Sequence, residues 1–228
     1  MTPSTARSLS ALQHALERRF RVVETTLEIG GRTLSLLHPA SAEELIDEED
    51  FERDERLPYW AELWPSARVL AGVLLGMRGE GRRALELGCG AGLVATSASL
   101  AGFQVCATDY YDDALSFARV NAWRNGATLL ETRAVDWRAM PEDLGQFDVV
   151  IASDVLYEMS YGEVVAGALD ASLAPNGTAL IADPGRVARD AFLAETRRRG
   201  LTVASSEQIA FADGLVRQVI TVFRIDRS

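Results

Sequence analysis

The sequence predicts an α/β protein with a seven-stranded, mostly parallel sheet, helices on both faces and an N-terminal helix and hairpin extension. Three observations support this prediction. A short apolar run at 84–87 stops at alternating glycines, and a helix-compatible stretch follows at once, as in a buried parallel strand that turns into a helix. Apolar runs then alternate with helical segments. Two extended runs flank residues 212–214 near the end, which predicts that the last strand is antiparallel.

Residues 1–56 are predicted to form a helix and hairpin extension, which belongs to the same domain as the core at 57–228. A helix at 6–20 carries leucines and Phe20 on one face. Extended runs at 22–29 and 32–37 flank Gly30 and Gly31, which is a two-residue hairpin signal. The acidic run at 43–55 is expected to be a solvated helix or loop.

Residues 57–67 form a second informative stretch, with two tryptophans, a tyrosine and two prolines. Rings of this size are costly to leave in water, so the stretch is expected to pack the extension onto the sheet. Pro65 or Ser66 can start a helix that runs through residue 77. The tryptophans can also hold a cationic ligand group, because a desolvated cation gains about 1–2 kcal/mol beside an aromatic face.

The glycine loop reads E-x-G-x-G-x-G, with Glu86 at the strand end and glycines at 88, 90 and 92. Glycine lets the backbone turn sharply and lets a ligand approach closely. The following helix, predicted at 93–100, offers free N–H groups. A dinucleotide fingerprint needs glycine at position 93, where this chain has Leu93. The pattern therefore disfavours a dinucleotide, and the alternative of a βα turn without a ligand is disfavoured by the carboxylate.

The second strand, 104–108, ends at Asp109, and a helix follows at 113–125. An acidic residue at this place commonly accepts hydrogen bonds from ribose hydroxyls, although a helix N-cap is the alternative. Tyr110 or Tyr111 would then lie against an adenine. The third strand, 129–134, leads to Asp136 and Trp137, which are expected to accept the adenine amine and to cover its ring.

The fourth strand, 147–152, is a continuous apolar run typical of a central parallel strand. It brings Ser153, Asp154 and Tyr157 to the carboxyl edge, where open α/β sheets bind ligands. Helix capping and core packing are the alternative for Asp154 and Tyr157. A helix at 162–173, a strand at 178–182, an exit loop at 183–186, a helix at 187–199 and hairpin strands at 203–211 and 215–225 complete the prediction.

Charge and composition exclude several functional classes. The net charge of −10 disfavours a nucleic-acid partner, which needs a basic stripe. The longest apolar run, 69–77, is too short for a membrane span, so no membrane partner is expected. Two cysteines indicate a reducing compartment, and we expect a cytoplasmic protein. We expect a monomer or a weak dimer.

Four motifs together resemble family 16 of the seven-β-strand, Rossmann-like methyltransferases that use S-adenosylmethionine (SAM). They are P-Y-W-A-E-L-W-P-S, E-L-G-C-G-A-G, V-D-W and S-D-V-L-Y. The resemblance covers about residues 20–225. Many members methylate protein lysines, including those of the electron-transfer flavoprotein β-subunit, calmodulin and chaperones, and one relative methylates histidine. The resemblance implies SAM as cofactor, S-adenosylhomocysteine as product, no metal, and a protein with an accessible lysine as partner.

Carried over residue by residue, the resemblance implies that Asp154 and Tyr157 form the acceptor site. Asp154 would bind the incoming ammonium, and Tyr157 would supply an aromatic wall and a hydroxyl. A small-molecule amine methyltransferase is the first alternative, and an oxidoreductase or a non-catalytic nucleotide-binding module is the second. The expected cofactor-site residues are Trp60, Glu62, Trp64, Glu86, Gly88, Gly90, Asp109, Tyr110, Asp136, Trp137 and Ser153.

Overall fold

A computed structural model of the protein describes residues 3–45, 58–129 and 131–227. Its helices are α1 (Pro3–Arg19), α2 (Pro65–Leu75), α3 (Leu93–Leu100), α4 (Asp112–Arg124), α5 (Tyr161–Ser172) and α6 (Arg189–Arg198). Its strands are β1 (Val22–Ile29), β2 (Arg32–Pro39), β3 (Arg83–Leu87), β4 (Gln104–Asp109), β5 (Glu131–Ala134), β6 (Phe147–Ser153), β7 (Leu173–Asp183), β8 (Thr202–Asp213) and β9 (Val216–Asp226).

Seven strands form one sheet in the order β5-β4-β3-β6-β7-β9-β8. The strands β3 to β7 are parallel, and β9 lies antiparallel between β7 and β8. The predicted fold class is therefore confirmed. The chain leaves β3 toward one edge of the sheet and returns to β6 on its other side, so the strand order reverses between β3 and β6. A reversal of this kind opens a crevice at the carboxyl ends of the strands, where ligands bind in open α/β sheets.

The N-terminal helix and hairpin pack directly on the main sheet unit. Gly30 and Gly31 have positive φ, 57° and 74°, and connect β1 to β2 in a two-residue turn. From the extension, Leu16 and Leu37 share a buried cluster with Phe117 of α4. A second buried cluster joins β1 and β2 to α2 and α3. Both clusters join the extension to the sheet unit, and the division into an extension and a core of one domain stays a prediction. The boundary predicted between 56 and 57, and the acidic run from residue 46 onward, lie outside the described residues; Glu43–Leu45 form a 3₁₀ turn.

Two asparagines at the end of α4 complete the outer edge of β2. The Asn121 amide accepts from Leu37 N–H at 2.8 Å and donates to Leu37 C=O at 2.7 Å. Asn125, one turn later, makes the same pair of bonds to Ser35 at 2.9 and 2.8 Å. Asn121 also donates to the carbonyl of Ala91 at 2.8 Å, and Ala91 lies inside the glycine loop. The hairpin is thereby connected to that loop through one buried side chain.

The observed element ends differ from the predicted ones mainly in the last third of the chain. The strand predicted at 178–182 is part of the longer β7, which begins at Leu173, where the preceding helix was predicted to end. β8 continues through Ala212 and Asp213, two of the residues predicted as turn, because Asp213 still pairs with Val216 across Gly214. β5 is shorter than the predicted 129–134, and Leu130 lies outside the described residues.

No helix within residues 3–45, 58–129 and 131–227 is long and apolar enough to cross a membrane.

Candidate active site

A cleft that is partly open to solvent lies at the carboxyl edge where the strand order reverses. Its walls come from the glycine loop, the ends of β4 and β6, and the segment that precedes α2. Every residue predicted above for the acceptor or cofactor site lines this one cleft. The structure therefore brings the predicted set together, while the role of each member remains a prediction.

The glycine loop is shaped by contacts that leave no room for a side chain. Gly88 has φ of 72°, and a Cβ there would lie 3.0 Å from the ring of Trp137. Gly92 has φ of 85° and is the N-cap residue of α3. A Cβ on Gly92 would lie 2.5 Å from the Cα of Ala118 on α4. The loop therefore needs glycine both for its backbone conformation and for the close approach of two helices.

Glu86 carries a buried carboxylate oxygen without a partner. Only 1% of the residue is exposed, and its Oε2 has no hydrogen-bond partner within the described part of the chain. Burial raises the pKa of Glu86 well above its ordinary value, and the nearby Asp109 carboxylate raises it further. An unpaired buried carboxylate is costly, so this position suits a ligand that brings a positive charge. Trp137 Nε1 is a second buried polar atom without a partner in the same cleft.

Asp109 holds the glycine loop to the end of β4. One carboxylate oxygen accepts from Gly90 N–H at 2.9 Å and the other from Tyr111 N–H at 3.1 Å. Burial raises the pKa of Asp109 to about 6, and these backbone N–H groups act in the opposite direction. The N-cap residue of α4 is Tyr111, so Asp109 does not cap that helix. The backbone N–H of Tyr110 also bonds to this carboxylate, so three of its roughly four acceptor positions are engaged and one can accept from a ribose hydroxyl.

The residues predicted to surround adenine are held by neighbours. Asp136 accepts hydrogen bonds from the backbone N–H of Arg138 at 3.0 Å and from its guanidinium at 2.7 Å. The Trp137 ring lies against Gly88. Tyr110 is 45% exposed and lies at the rim of the cleft.

The predicted residues of the segment before α2 differ in environment. Trp60 is buried and packs against Phe117 with ring centroids 5.7 Å apart, so core packing accounts for most of its surface. Glu62 is exposed where it lines the cleft. Trp64 donates from its indole N–H to the carbonyl of Tyr59 at 2.9 Å. Ser153, at the end of β6, is half-buried.

Asp154 is already paired by residues that sequence reasoning missed. Its side chain is 3% exposed, and Oδ1 accepts from Arg186 Nε at 2.5 Å. The other oxygen accepts from Ser66 Oγ at 3.1 Å. Asp154 has a positive φ of 60°, and its N–H donates to Ala182 C=O on the neighbouring strand β7. The strand order offered one signal for Arg186, because loops after adjacent parallel strands meet at one edge of the sheet.

A series of aromatic rings lines the side of the cleft that Tyr157 forms. Tyr157 contacts Tyr59 on one side and Tyr161 on the other, each with ring centroids 5.0 Å apart. The series continues to Trp64 at 5.9 Å and to Trp137 at 5.8 Å. Burial, followed by Tyr161, raises the pKa of Tyr157 far above its ordinary value, so its hydroxyl keeps its proton. Tyr59 and Tyr161 were not predicted as site residues, although Tyr161 follows Tyr157 by four residues.

Within the described residues, no group of three or more His, Cys, Asp and Glu side chains is placed to hold a metal ion.

Comparisons with known proteins agree with this geometry. A family profile described as a methyltransferase domain matches residues 79–216. The chain is similar to the electron transfer flavoprotein beta subunit lysine methyltransferase of Xenopus laevis, at 32% identity over 57% of this chain and 53% of that protein. It is also similar to the ubiquinone biosynthesis O-methyltransferase of Bordetella pertussis, at 33% identity over 43% of this chain and 41% of that protein. The chain thus spans about half the length, or less, of these curated relatives.

Among solved structures, the magnesium protoporphyrin IX methyltransferase of Synechocystis, determined with bound SAM, has the same fold. The two structures agree with a TM-score of 0.59 at 16% sequence identity. The match covers 81% of this chain and 94% of that one.

Proposed function

The chain belongs to the methyltransferase domain family, and from that membership we propose that it methylates a lysine side chain of a protein with SAM as the methyl donor. The family predicted from the four motifs is confirmed, and SAM is its cofactor. The observation that supports the lysine proposal most directly is the continuity of the site. The aromatic series runs from Trp137, beside the glycine loop, to Trp64, which lies beside the ion pair of Arg186 and Asp154.

The residues around the glycine loop fit both the methionine part and the adenosine part of SAM. The unpaired, buried oxygen of Glu86 suits the ammonium of the methionine part. Asp109 and Asp136 would accept from the ribose hydroxyls and the adenine amine, and Trp137 would cover the ring. When bound, SAM supplies a methyl group on a sulfonium, which an amine nitrogen can take by in-line displacement, with S-adenosylhomocysteine as product. The rest of the work is positioning, which in such a displacement supplies most of the acceleration.

The acceptor site offers orientation rather than a strong base. A free lysine has a pKa near 10.4, so removing its proton at pH 7 costs about 4.6 kcal/mol (3.4 units at 1.36 each). Tyr157 keeps its own proton because of its raised pKa, so its ring and hydroxyl position the nitrogen and do not deprotonate it. The flat rings of Tyr59 and Tyr157 form a narrow wall for an extended aliphatic chain.

Two exposed apolar side chains that lie close in the sequence to site residues favour a protein acceptor over a small molecule. Met159 and Val187 are each 64% exposed. Met159 follows Tyr157 by two residues, and Val187 follows Arg186 directly. Exposed apolar side chains so close in the sequence to site residues suit contact with a second protein surface. The relative that modifies lysine of a flavoprotein subunit points the same way, whereas the ubiquinone O-methyltransferase relative favours the second candidate, a small-molecule methyltransferase.

The proposal predicts that Asp154→Asn separates methyl transfer from cofactor binding. Asparagine tolerates the positive φ at this position, so the backbone is not strained by the change. We expect SAM affinity to stay within a few-fold and methyl transfer to fall about 10²-fold or more, as for loss of a positioned polar group in other enzymes. The paired measurement is a SAM titration and transfer of tritiated methyl into proteins of cells lacking the enzyme, followed by hydrolysis to identify the modified amino acid.

Tyr157→Phe is the matched control, because it keeps the aromatic wall and should reduce transfer less. Loss of SAM binding in Asp154→Asn would place Asp154 in the cofactor site instead. Label that appears only in small molecules would establish the second candidate and end the lysine proposal.

A further inference from the structure

Arg186 occupies the place where a cationic acceptor would bind. Its Nε donates to Asp154 Oδ1 at 2.5 Å, and its guanidinium lies over the Trp64 ring, 5.2 Å from the centroid. The side chain is 34% exposed, whereas Asp154 is 3% exposed. The guanidinium of Arg186 therefore neutralises Asp154, the carboxylate that was predicted to receive an ammonium. The same guanidinium covers one face of the Trp64 ring.

The loop that carries Arg186 is fixed by its own buried carboxylate. Asp183, at the end of β7, accepts from Gly185 N–H at 2.8 Å and from Arg186 N–H at 3.2 Å. Both carboxylate oxygens of Asp183 accept from this turn, which holds the backbone of Arg186 in place. The other titratable or charged side chains of the cleft and of the loops that carry Tyr157 and Arg186 are Tyr59, Glu62, Glu86, Cys89, Asp109, Tyr110, Tyr111, Asp136, Arg138, Tyr157, Glu158, Tyr161 and Arg189.

We propose that Arg186 is a specificity-determining residue of the acceptor site, which keeps Asp154 paired so that the acceptor amine is admitted only without its proton. This inference rests on the proposed function. A lone Asp154 would bind the ammonium form and hold it protonated, which opposes attack by the nitrogen lone pair. With the pair already made, the ammonium meets a like charge and gains no free carboxylate. The proton is released to water before entry, and the neutral amine can donate an N–H to a remaining acceptor position of Asp154.

A pair of bisubstrate probes tests this without knowledge of the natural acceptor. Both are S-adenosylhomocysteine analogues with a nitrogen in place of the sulfur. One carries an aminopropyl chain that reaches into the acceptor site, and the other carries a butyl chain of similar length. The dissociation constants of both are measured by calorimetry from pH 6 to pH 9. The ratio of the two constants cancels the titration of Glu86 and Asp109, and the pKa values of the probe nitrogens, which differ between the two probes, are measured separately.

For the wild-type protein, we expect the affinity of the aminopropyl probe, relative to that of the butyl probe, to rise about tenfold with each pH unit until the pH reaches the amine pKa. The reason is that binding of the neutral amine releases one proton. In Arg186→Met, the amine of the bound probe should stay protonated and pair with Asp154 as an ammonium. The ratio should then favour the aminopropyl probe already at pH 7 and change little with pH. Arg186→Lys keeps the charge and should retain the wild-type slope.

A pH-independent ratio in the wild-type protein overturns the proposal, and so does an unchanged slope in Arg186→Met. The wild-type slope decides the matter if Arg186→Met does not fold. If neither probe binds the wild-type protein, it is the cofactor site of the proposed function that fails.

Discussion

At the scale of single residues, Glu86 shows how a buried carboxylate with one unpaired oxygen affects the stability of the protein that carries it. Its carboxyl group is buried beside Asp109, and one oxygen is unpaired in the described structure. Burial raises its pKa, so between the ordinary carboxyl pKa and the raised one the folded protein binds more protons than the unfolded chain does. Stability therefore falls as the pH rises through that window. Asp109 acts in the same direction between its ordinary value of 3.8 and about 6.

We expect the unfolding free energy of the ligand-free protein to decrease from pH 5 to pH 8, and Glu86→Gln to remove part of that decrease. The amide is isosteric with the carboxyl and can still accept from the Ala95 N–H that contacts Glu86. Urea unfolding at several pH values measures the effect. An equal pH dependence in the two proteins would contradict the raised pKa of Glu86.

The same substitution should weaken SAM binding by about 10–100-fold, because a hydrogen bond to a charged group contributes about 1.5–3 kcal/mol. Calorimetric titration of SAM into Glu86→Gln measures this. Unchanged affinity would move the methionine ammonium to another residue.

At the scale of elements, two asparagines at the end of α4 hold the hairpin, and only Asn121 also contacts the glycine loop. Asn121 contacts both Leu37 and Ala91, whereas Asn125 contacts Ser35 and the carbonyl of Asn121. Substitution of the two asparagines one at a time can therefore distinguish an effect on the stability of the hairpin from an effect on the shape of the glycine loop.

We expect Asn121→Ala to destabilise the protein by about 1–3 kcal/mol and also to weaken SAM binding, because the Ala91 carbonyl loses its partner. Asn125→Ala is the matched control, which should cost stability and leave SAM affinity unchanged. Thermal unfolding and SAM titration of both variants give the comparison. Equal SAM affinities in the two variants would show that the hairpin does not support the loop.

At the scale of the whole molecule, the extension shares two buried clusters with the sheet unit. Leu16, Leu34 and Leu36 are each at most 5% exposed, and burial of a leucine contributes about 1.5–3 kcal/mol. We expect deletion of residues 1–56 to preserve the main sheet, to lower the melting temperature by about 10 °C or more and to weaken SAM binding. Circular dichroism and calorimetry measure both. A truncated chain that melts and binds like the full protein would make the extension a separate wrapper.

The sequence predicted the residues at the carboxyl edge of the sheet well, but it did not predict the contacts that loops and helix ends make there. Glu86, Asp109 and Asp154 end neighbouring parallel strands, and strand periodicity alone brings such residues to one edge. The Arg186 contact to Asp154 joins residues 32 positions apart, and that of Asn121 to Leu37 joins residues 84 apart. No local pattern specifies such pairs, because they depend on how loops and helix ends meet after the sheet has formed. The ends of β7 and β8 were also missed, since pairing extends both strands beyond their apolar runs.

The asparagine contacts on β2 also affect how the protein meets other chains. An outer strand normally offers free N–H and C=O groups, on which a strand from another molecule can assemble. Here the groups of Ser35 and Leu37 that face away from β1 are already bonded to side-chain amides of α4. The two-stranded sheet is therefore closed on that side to edge-to-edge aggregation, with two amide side chains in place of a third strand.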